Sequence, residues 1–438
     1  MAILSKEEAK QIIDKVLSFS KADDCVVQLG GSDSGNIRYA RNTVSTSGIT
    51  QNISLGVSSS YGKRTGVATG NELDDDSLAR VVARSEELAR LSPENPEYMP
   101  PVEPSDFADS QTFFESTANI DAAARAKVAK NSIEPAAAKD VTAAGFLEHS
   151  AGFNSLGNSK GLFAYNTATN VDFTVTMRTA DGTGSGWATA DQNDIDKLDL
   201  DMASQTAIDK ALLSRDAQAI EPGKYTVILE PAAAVGLLGP MLFSMDARSA
   251  DEGRSFLSKQ GGGTKLGEKL VDERVNIYSD PNHPIVPYST WSGEGLPQQP
   301  ISWIKNGAVE NMFYSRYWAE QKGVAPVPFP GSAVMDGGDA SLEDLIKDTK
   351  KGILVTRTWY IRNVDPQTLL YTGLTRDGTF FIENGKLKYP VKNFRFNESP
   401  IIMLNNLEAL GQQKRINGNL VPYMKIRDFT FTSLSDAV

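Results

Sequence analysis

Histidine and cysteine are almost absent from this chain. Only Cys25, His149 and His283 among its 438 residues could offer a metal a thiolate or an imidazole. A single cysteine excludes an internal disulfide and suits a reducing compartment. Two histidines so far apart exclude a local two-histidine helical zinc motif. A site joining Cys25, His149 and His283 would need folding alone to assemble it, and no neighbouring residue supports it. Long apolar runs are missing too, and none approaches the roughly 18 residues of a membrane span. The opening MAILSKEEAKQIIDKVL carries charge where a secretory leader needs an apolar core, so a cytoplasmic location is expected. Positive charge is in deficit: 44 Lys and Arg stand against 55 Asp and Glu, a net charge of −11. That balance argues against direct contact with nucleic acid, which asks for a basic face.

What is present points to a globular protein of more than one core. A length of 438 residues favours two domains. Ser5 and Glu8 have the spacing of a capping box, and Ile12, Ile13, Val16 and Leu17 form one helical stripe behind them. Short strands are expected at CVVQL, NIRYA, QNISLGVSSS and RTGVAT, with a turn at Tyr61-Gly62-Lys63. A second amphipathic helix follows over about Ser77 to Leu91. The segment SPENPEYMPPVEPSDFADS is too rich in proline for a helix or a central strand and reads as an extended connection over the surface. Further on come a helix near Asp121 to Ile133, the strand VTAAGFLEHS, the hairpin VDFTVTMRTADGTGSGWATAD and a helix over SQTAIDKALLSRDA. The boundary falls near residue 220, giving domains 1–220 and 221–438.

The second half is strand-rich. ISWIKNGAVENMF and TFFIENGKLKYPV each hold an Asn-Gly pair between apolar runs, a strong hairpin signal. Between them a helix starting at the Ser341/Asp344 cap feeds a strand, ILVTRTWYI. With helices and antiparallel pairs in both halves and no repeating βα rhythm, the class is α+β.

Candidate chemistry is sparse. GGTKLGEK has phosphate-loop spacing only as far as Gly267, and Glu268-Lys269 stands where Lys and a hydroxyl are required. GTGSG at Gly182 precedes a strand and reads as a flexible hairpin tip, not a dinucleotide fingerprint. Asp336, Asp339, Glu343 and Asp344 suit the start of a helix as complements of its dipole. Arg357 and Trp359, with Arg376 and Asp377 close behind, could line a peptide groove; a cross-strand ladder on a sheet face explains them equally well.

The run Val227 to Ser244, VILEPAAAVGLLGPMLFS, is a strand-to-helix junction with no ionisable side chain between Glu230 and Asp246. Together with RYARNTVSTSGITQNISLGVSSSYGKRTGVAT, NSKGL, EPGKYTVILEP, GLPQQPISWIKNGAVENMF and GLTRDGTFFIENGKLKYPVKNF, in that order, it resembles the TldD/PmbA family. Members of that family are labelled modulators of DNA gyrase or peptide-maturation proteases. The resemblance covers most of the chain and implies a two-domain α+β cytosolic peptidase built of two related subunits. In the TldD-like subunit His-Glu-x-x-x-His lies on the helix after the strand, and a cysteine from the C-terminal half completes the zinc site. Here Gly239 and Pro240 stand at the first His-Glu pair, Ser244 stands at the second histidine, and the C-terminal half has no cysteine. The resemblance therefore implies the PmbA-like (TldE-type) subunit, without catalytic or metal residues of its own. It would pair with a TldD-like, zinc-bearing homologue, or self-associate, and help enclose an unfolded peptide. Two alternatives stay open. One is a catalytically inactive, stand-alone peptide-binding or regulatory protein. The other is an enzyme with relocated chemistry at His149 or His283.

Overall fold

A computed structural model describes residues 3–435. It is an α+β molecule whose strands fall into two sheets. The first is antiparallel and six-stranded, built from β1 (Asp24–Ala40), β2 (Thr43–Tyr61), β3 (Arg64–Gly70), β4 (Val141–Asn158), β5 (Phe163–Thr179) and β6 (Ser185–Gln192) in the order β3-β2-β1-β4-β5-β6. Helices α1 (Lys6–Phe19), α2 (Asp75–Leu91), the short α3 (Glu115–Ala118), α4 (Ala122–Ala138) and α5 (Leu200–Leu213) accompany it. The Ser5/Glu8 capping box forms and starts α1. Alternation in β1 sends Cys25, Val27, Leu29, Ile37 and Tyr39 into the core under the helices, leaving Gln28, Gly30 and Ser32 for the opposite face.

Two readings change here. CVVQL and NIRYA are not separate strands, because β1 runs unbroken through Gly30, Gly31, Ser32, Asp33 and Ser34. Partners on both sides hold that glycine- and serine-rich stretch extended: β2 pairs with one edge of β1 and β4 with the other. GTGSG is not simply a flexible tip either. A Cβ on Gly184 would lie 2.2 Å from the Ala211 carbonyl, and one on Gly186 would lie 2.1 Å from that of Ala207. Both glycines are needed for α5 to pack against the backbone of the hairpin.

The second sheet holds β7 (Lys224–Leu229), β8 (Ile277–Ser279), β9 (Ile301–Lys305), β10 (Ala308–Val309), β11 (Val334–Met335), β12 (Lys351–Val355), β13 (Thr358–Asp365), β14 (Leu370–Thr375), β15 (Thr379–Glu383), β16 (Lys386–Pro390), β17 (Phe394–Glu398), β18 (Leu407–Ile416) and β19 (Asn419–Leu434). Both Asn-Gly hairpins form, β9–β10 and β15–β16. Their turn residues Asn306, Gly307, Asn384 and Gly385 all have positive φ, as the tight hairpin turn requires. The helix after Ser341 spans Leu342–Lys347, with its capping box present. ILVTRTWYI divides: β12 lies beside β7 on the main path of the sheet, and β13 joins a branch of it by pairing with β14. The register breaks at Thr356-Arg357, where Thr356 Oγ1 donates to the Gly378 carbonyl at 2.9 Å.

The proline-rich segment 92–110 straps the halves together. Glu97 receives two hydrogen bonds from Arg248, both 2.8 Å long. The Ala108 carbonyl accepts from Thr290 Oγ1 at 2.6 Å. Two ion pairs cross the same seam. Arg415 meets Asp191 at 2.9 Å with both side chains at least nine-tenths buried, and Lys210 meets Glu230 at 2.7 Å.

Candidate functional site

The centre of the second sheet sets up the strand-to-helix junction. β7 lies between β12, its parallel neighbour, and β19, its antiparallel one. Val227, Ile228 and Leu229 are completely buried, as expected of a strand covered on both faces. The chain then turns at Glu230 into α6 (Pro231–Phe243). Pro231 sits in the first turn, where its missing N–H costs nothing. Ala233, Ala234, Leu237 and Met241 pack α6 into the core. Pro240 does not break the helix. It lies in the last turn, and the Ser244 N–H donates to its carbonyl at 3.1 Å.

A hollow of about 540 Å³ opens at this end of α6, lined by Gly239, Pro240, Phe243 and Ser244 from the helix and by Trp303, Phe313, Phe329 and Tyr371 from around it. Three aromatic rings form one flank: Phe243 and Phe329 have centroids 4.7 Å apart, and Phe313 and Phe329 6.1 Å. Four of the polar side chains on its wall are hydrogen-bonded to backbone or to a side chain behind it. Ser244 Oγ donates to the Pro240 carbonyl at 2.8 Å. Trp303 Nε1 donates to Ser279 Oγ at 2.8 Å, and Ser332 Oγ to the Val286 carbonyl at 2.9 Å. Asn419 uses both ends of its amide, accepting from Ala333 N and donating to the Asn417 carbonyl. The zinc site implied by the resemblance does not fit this donor set: a glycine, a proline and an internally bonded hydroxyl stand at the motif positions. Among the described residues no group of three or more His, Cys, Asp or Glu side chains is placed to hold a metal ion.

The scarce ligand types are scattered. Cys25, on β1, is buried in the core between the first sheet and its helices, and burial pushes its thiol up. The Nε2 of His149, on β4, accepts from Arg125 Nη1 at 3.0 Å, and burial followed by the guanidinium holds its pKa below the ordinary histidine value. His283 caps a turn, its Nδ1 accepting from the backbone N–H of Ile285 at 3.2 Å and Val286 at 3.3 Å. None of the three lines the hollow.

Arg357, Trp359, Arg376 and Asp377 are brought into one cluster, at the seam between the halves. Asp377 is 3% exposed and accepts from Arg357 Nη1 and from Ser185 Oγ of β6, both at 2.6 Å. The Arg357 guanidinium lies between two indoles, 4.1 Å from the Trp187 centroid and 4.8 Å from that of Trp359. Burial pulls its pKa below the usual arginine range, and Asp377 opposes the shift. Arg376 stands 5.2 Å from the Trp359 centroid. Trp187 and Ser185 carry no sequence signal of this role, because they join the cluster only when β6 meets the second sheet. The outward part is Trp359, 43% exposed, with Tyr360 beside it at 57%.

The fold, then, is an α+β pair of sheets with a strand-to-helix junction at the heart of the second. Family models account for nearly all of it: PmbA/TldA metallopeptidase domain 1 over residues 25–89, the central domain over 110–215 and the C-terminal domain over 222–433. The chain belongs to the PmbA/TldA (TldD/PmbA) metallopeptidase family. It is 23% identical to the metalloprotease PmbA of Escherichia coli over 97% of this chain and 98% of that protein. It is also 23% identical to a metalloprotease of Methanothermobacter thermautotrophicus, over 59% of this chain and only 60% of that protein. The crystal structure of TldE from Thermococcus kodakarensis superposes with a TM-score of 0.87 at 18% identity, covering 98% of this chain and all of that one; at that identity the likeness is one of fold. No helix among the described residues is long and apolar enough to cross a membrane.

Proposed function

We propose that this chain is the non-metal subunit of a two-subunit cytoplasmic zinc peptidase, acting in the proteolysis or maturation of unfolded peptides. One observation carries the reading. The β7–α6 junction is kept and opens onto a hollow, but the wall offers no imidazole, carboxylate or thiol, and its serine and asparagine side chains are already hydrogen-bonded to backbone. Hydrolysis at zinc needs about three protein ligands and an activated water, so the metal would belong to a TldD-like partner with an intact His-Glu-x-x-x-His. This chain's own residues then bind and enclose. The aromatic flank of Phe243, Phe313 and Phe329 takes an apolar side chain, and exposed Trp359 and Tyr360 on β13 offer a surface for partner or peptide.

The test is affinity purification of the tagged chain from its native host, with zinc measured in the eluate. Equal recovery of a histidine-motif homologue carrying the zinc supports the reading, together with peptide cleavage that disappears when that homologue's motif glutamate is replaced. Recovery of this chain alone, metal-free and inert toward unfolded peptides, overturns it and leaves a stand-alone peptide-binding protein.

A further inference from the structure

The first sheet carries a second hollow that the proposed role of the α6 end does not use. Its helix-free face, together with Ser289, Trp291 and Gly293 from the second half, encloses a cleft of about 730 Å³. Strand register sets its lining. Gly30 lies opposite Ser54 on one side and Asn154 on the other; Ser32 lies opposite Asn52 and Gly152; Asn166 lies opposite Asn154. The Gln28 amide donates to the Gly293 carbonyl at 3.1 Å and ties the far wall to the sheet.

Three features of this cleft point to a ligand. First, among the described residues lining it none is charged, in a chain where charged residues make up 23%; polyanions and ionic small molecules find no counter-charge there. Second, part of its hydrogen-bonding capacity is unspent, although Gln28, Ser155, Thr169, Asn170 and Ser289 are engaged. Asn52, Asn154, Ser32 and Ser54 make no side-chain hydrogen bond among the described residues, and Trp291, 9% exposed, keeps an indole N–H with no partner. A buried donor left unpaired costs about 1–3 kcal/mol. Third, glycines hollow the floor. A Cβ on Gly30 would come within 3.0 Å of Asn154 Oδ1, and one on Gly152 within 2.8 Å of the Gly31 carbonyl.

We infer that this cleft binds the main chain of an extended polypeptide, without regard to its side chains. Amides and hydroxyls both donate and accept, as a peptide backbone does. Same-face residues along a strand recur about every 6.6 Å, and an extended peptide lying along β1 presents its equivalent main-chain groups at the same interval. Side chains of the ligand meet no charge and so are not selected. The inference rests on the peptide-handling role proposed above, but it concerns a different surface, on the first sheet, and is read by binding and not by cleavage.

The test is fluorescence anisotropy of the isolated full chain with a fluorescein-labelled, end-capped Ala/Gly/Ser peptide. Gly56 lines the cleft and an added Cβ there would meet nothing closer than 4.0 Å, so Gly56→Phe fills the space without straining the sheet. Saturable binding that weakens at least about tenfold in Gly56→Phe, and about threefold in each of Asn52→Ala and Asn154→Ala, is expected. The two alanine variants keep the test decisive if Gly56→Phe fails to fold. Absence of saturable binding, or binding indifferent to the alanine variants, overturns the inference. So does displacement of the peptide by a neutral oligosaccharide that itself binds more tightly, which would make the cleft a glycan site. A complex that cleaves peptides while this chain shows no such binding would leave the peptidase-subunit reading standing and remove only this one.

Discussion

The hollow at the end of α6 and the cleft on the first sheet are hydrogen-bonded in opposite senses. Around the first, Ser244, Ser332 and Asn419 bond to nearby backbone and Trp303 to Ser279, and the surface left over is largely aromatic. Around the second, Asn52, Asn154, Ser32, Ser54 and the Trp291 indole keep their capacity free, and aromatic surface is scarce. A wall whose polar atoms are spent can grip only by shape and apolar contact; one whose polar atoms are unspent can read a backbone. The hollows also differ in what holds them. The α6 hollow is built within the second half, whereas the cleft needs both halves in register.

The last difference can be broken by substitution. Asp191→Ala leaves buried Arg415 without its counter-charge at the seam, with only the neutral acceptors Gln192, Asn193 and the Ile285 carbonyl, a change that costs about 3 kcal/mol. It is expected to lower the urea midpoint, and to raise proteolytic nicking at residues 289–293 before it alters the surroundings of Trp303. Loss of protection at both places together would mean that the two hollows are not independently supported. A smaller effect is expected of acid. In the unfolded chain His149 protonates near its ordinary value of 6.5, while burial and then Arg125 hold the folded-state pKa below it. The unfolded state therefore binds more protons on acidification, so this contribution to stability is complete above about pH 6.5 and is lost as the pH falls through it. His149→Gln should flatten that part of the stability–pH curve, and equal slopes in the two proteins would refute the assignment. The smallest effect is expected at Gly239, where an added Cβ would meet nothing within 4 Å. Gly239→His should change stability by no more than about 1 kcal/mol, because the imidazole projects into free space. A thermal-melting shift well beyond that would show the hollow to be narrower than its geometry indicates.

Local patterns were the legible part. The Ser5/Glu8 and Ser341/Asp344 boxes and the two Asn-Gly hairpins form where the sequence places them, since each depends on residues within about four positions of one another. The continuous β1 was missed because Gly-Gly-Ser-Asp-Ser reads locally as a loop; two flanking strands override that preference. The division at Thr356-Arg357 was missed because both pieces have strand character, and only their partners differ. Of the site, Arg357, Trp359, Arg376 and Asp377 could be singled out as a group, but not their burial against Ser185 and Trp187. The cleft's one signal in the sequence is the small uncharged residues that alternate with the core positions of β1, β2 and β4.

By itself the sequence determined the class, the helix starts, the tight turns, and which residue types stand at positions 239, 240 and 244, because these follow from identity and short-range geometry. Only the tertiary structure decided that the serine, asparagine and indole groups around the α6 hollow are spent on backbone and on Ser279, that Arg357 is held between two indoles, and that a row of amides faces a loop from the other half. Each of these depends on strand register and on contacts between residues far apart in the chain, and the free energy that fixes them comes from burial of both sheets and not from any local preference.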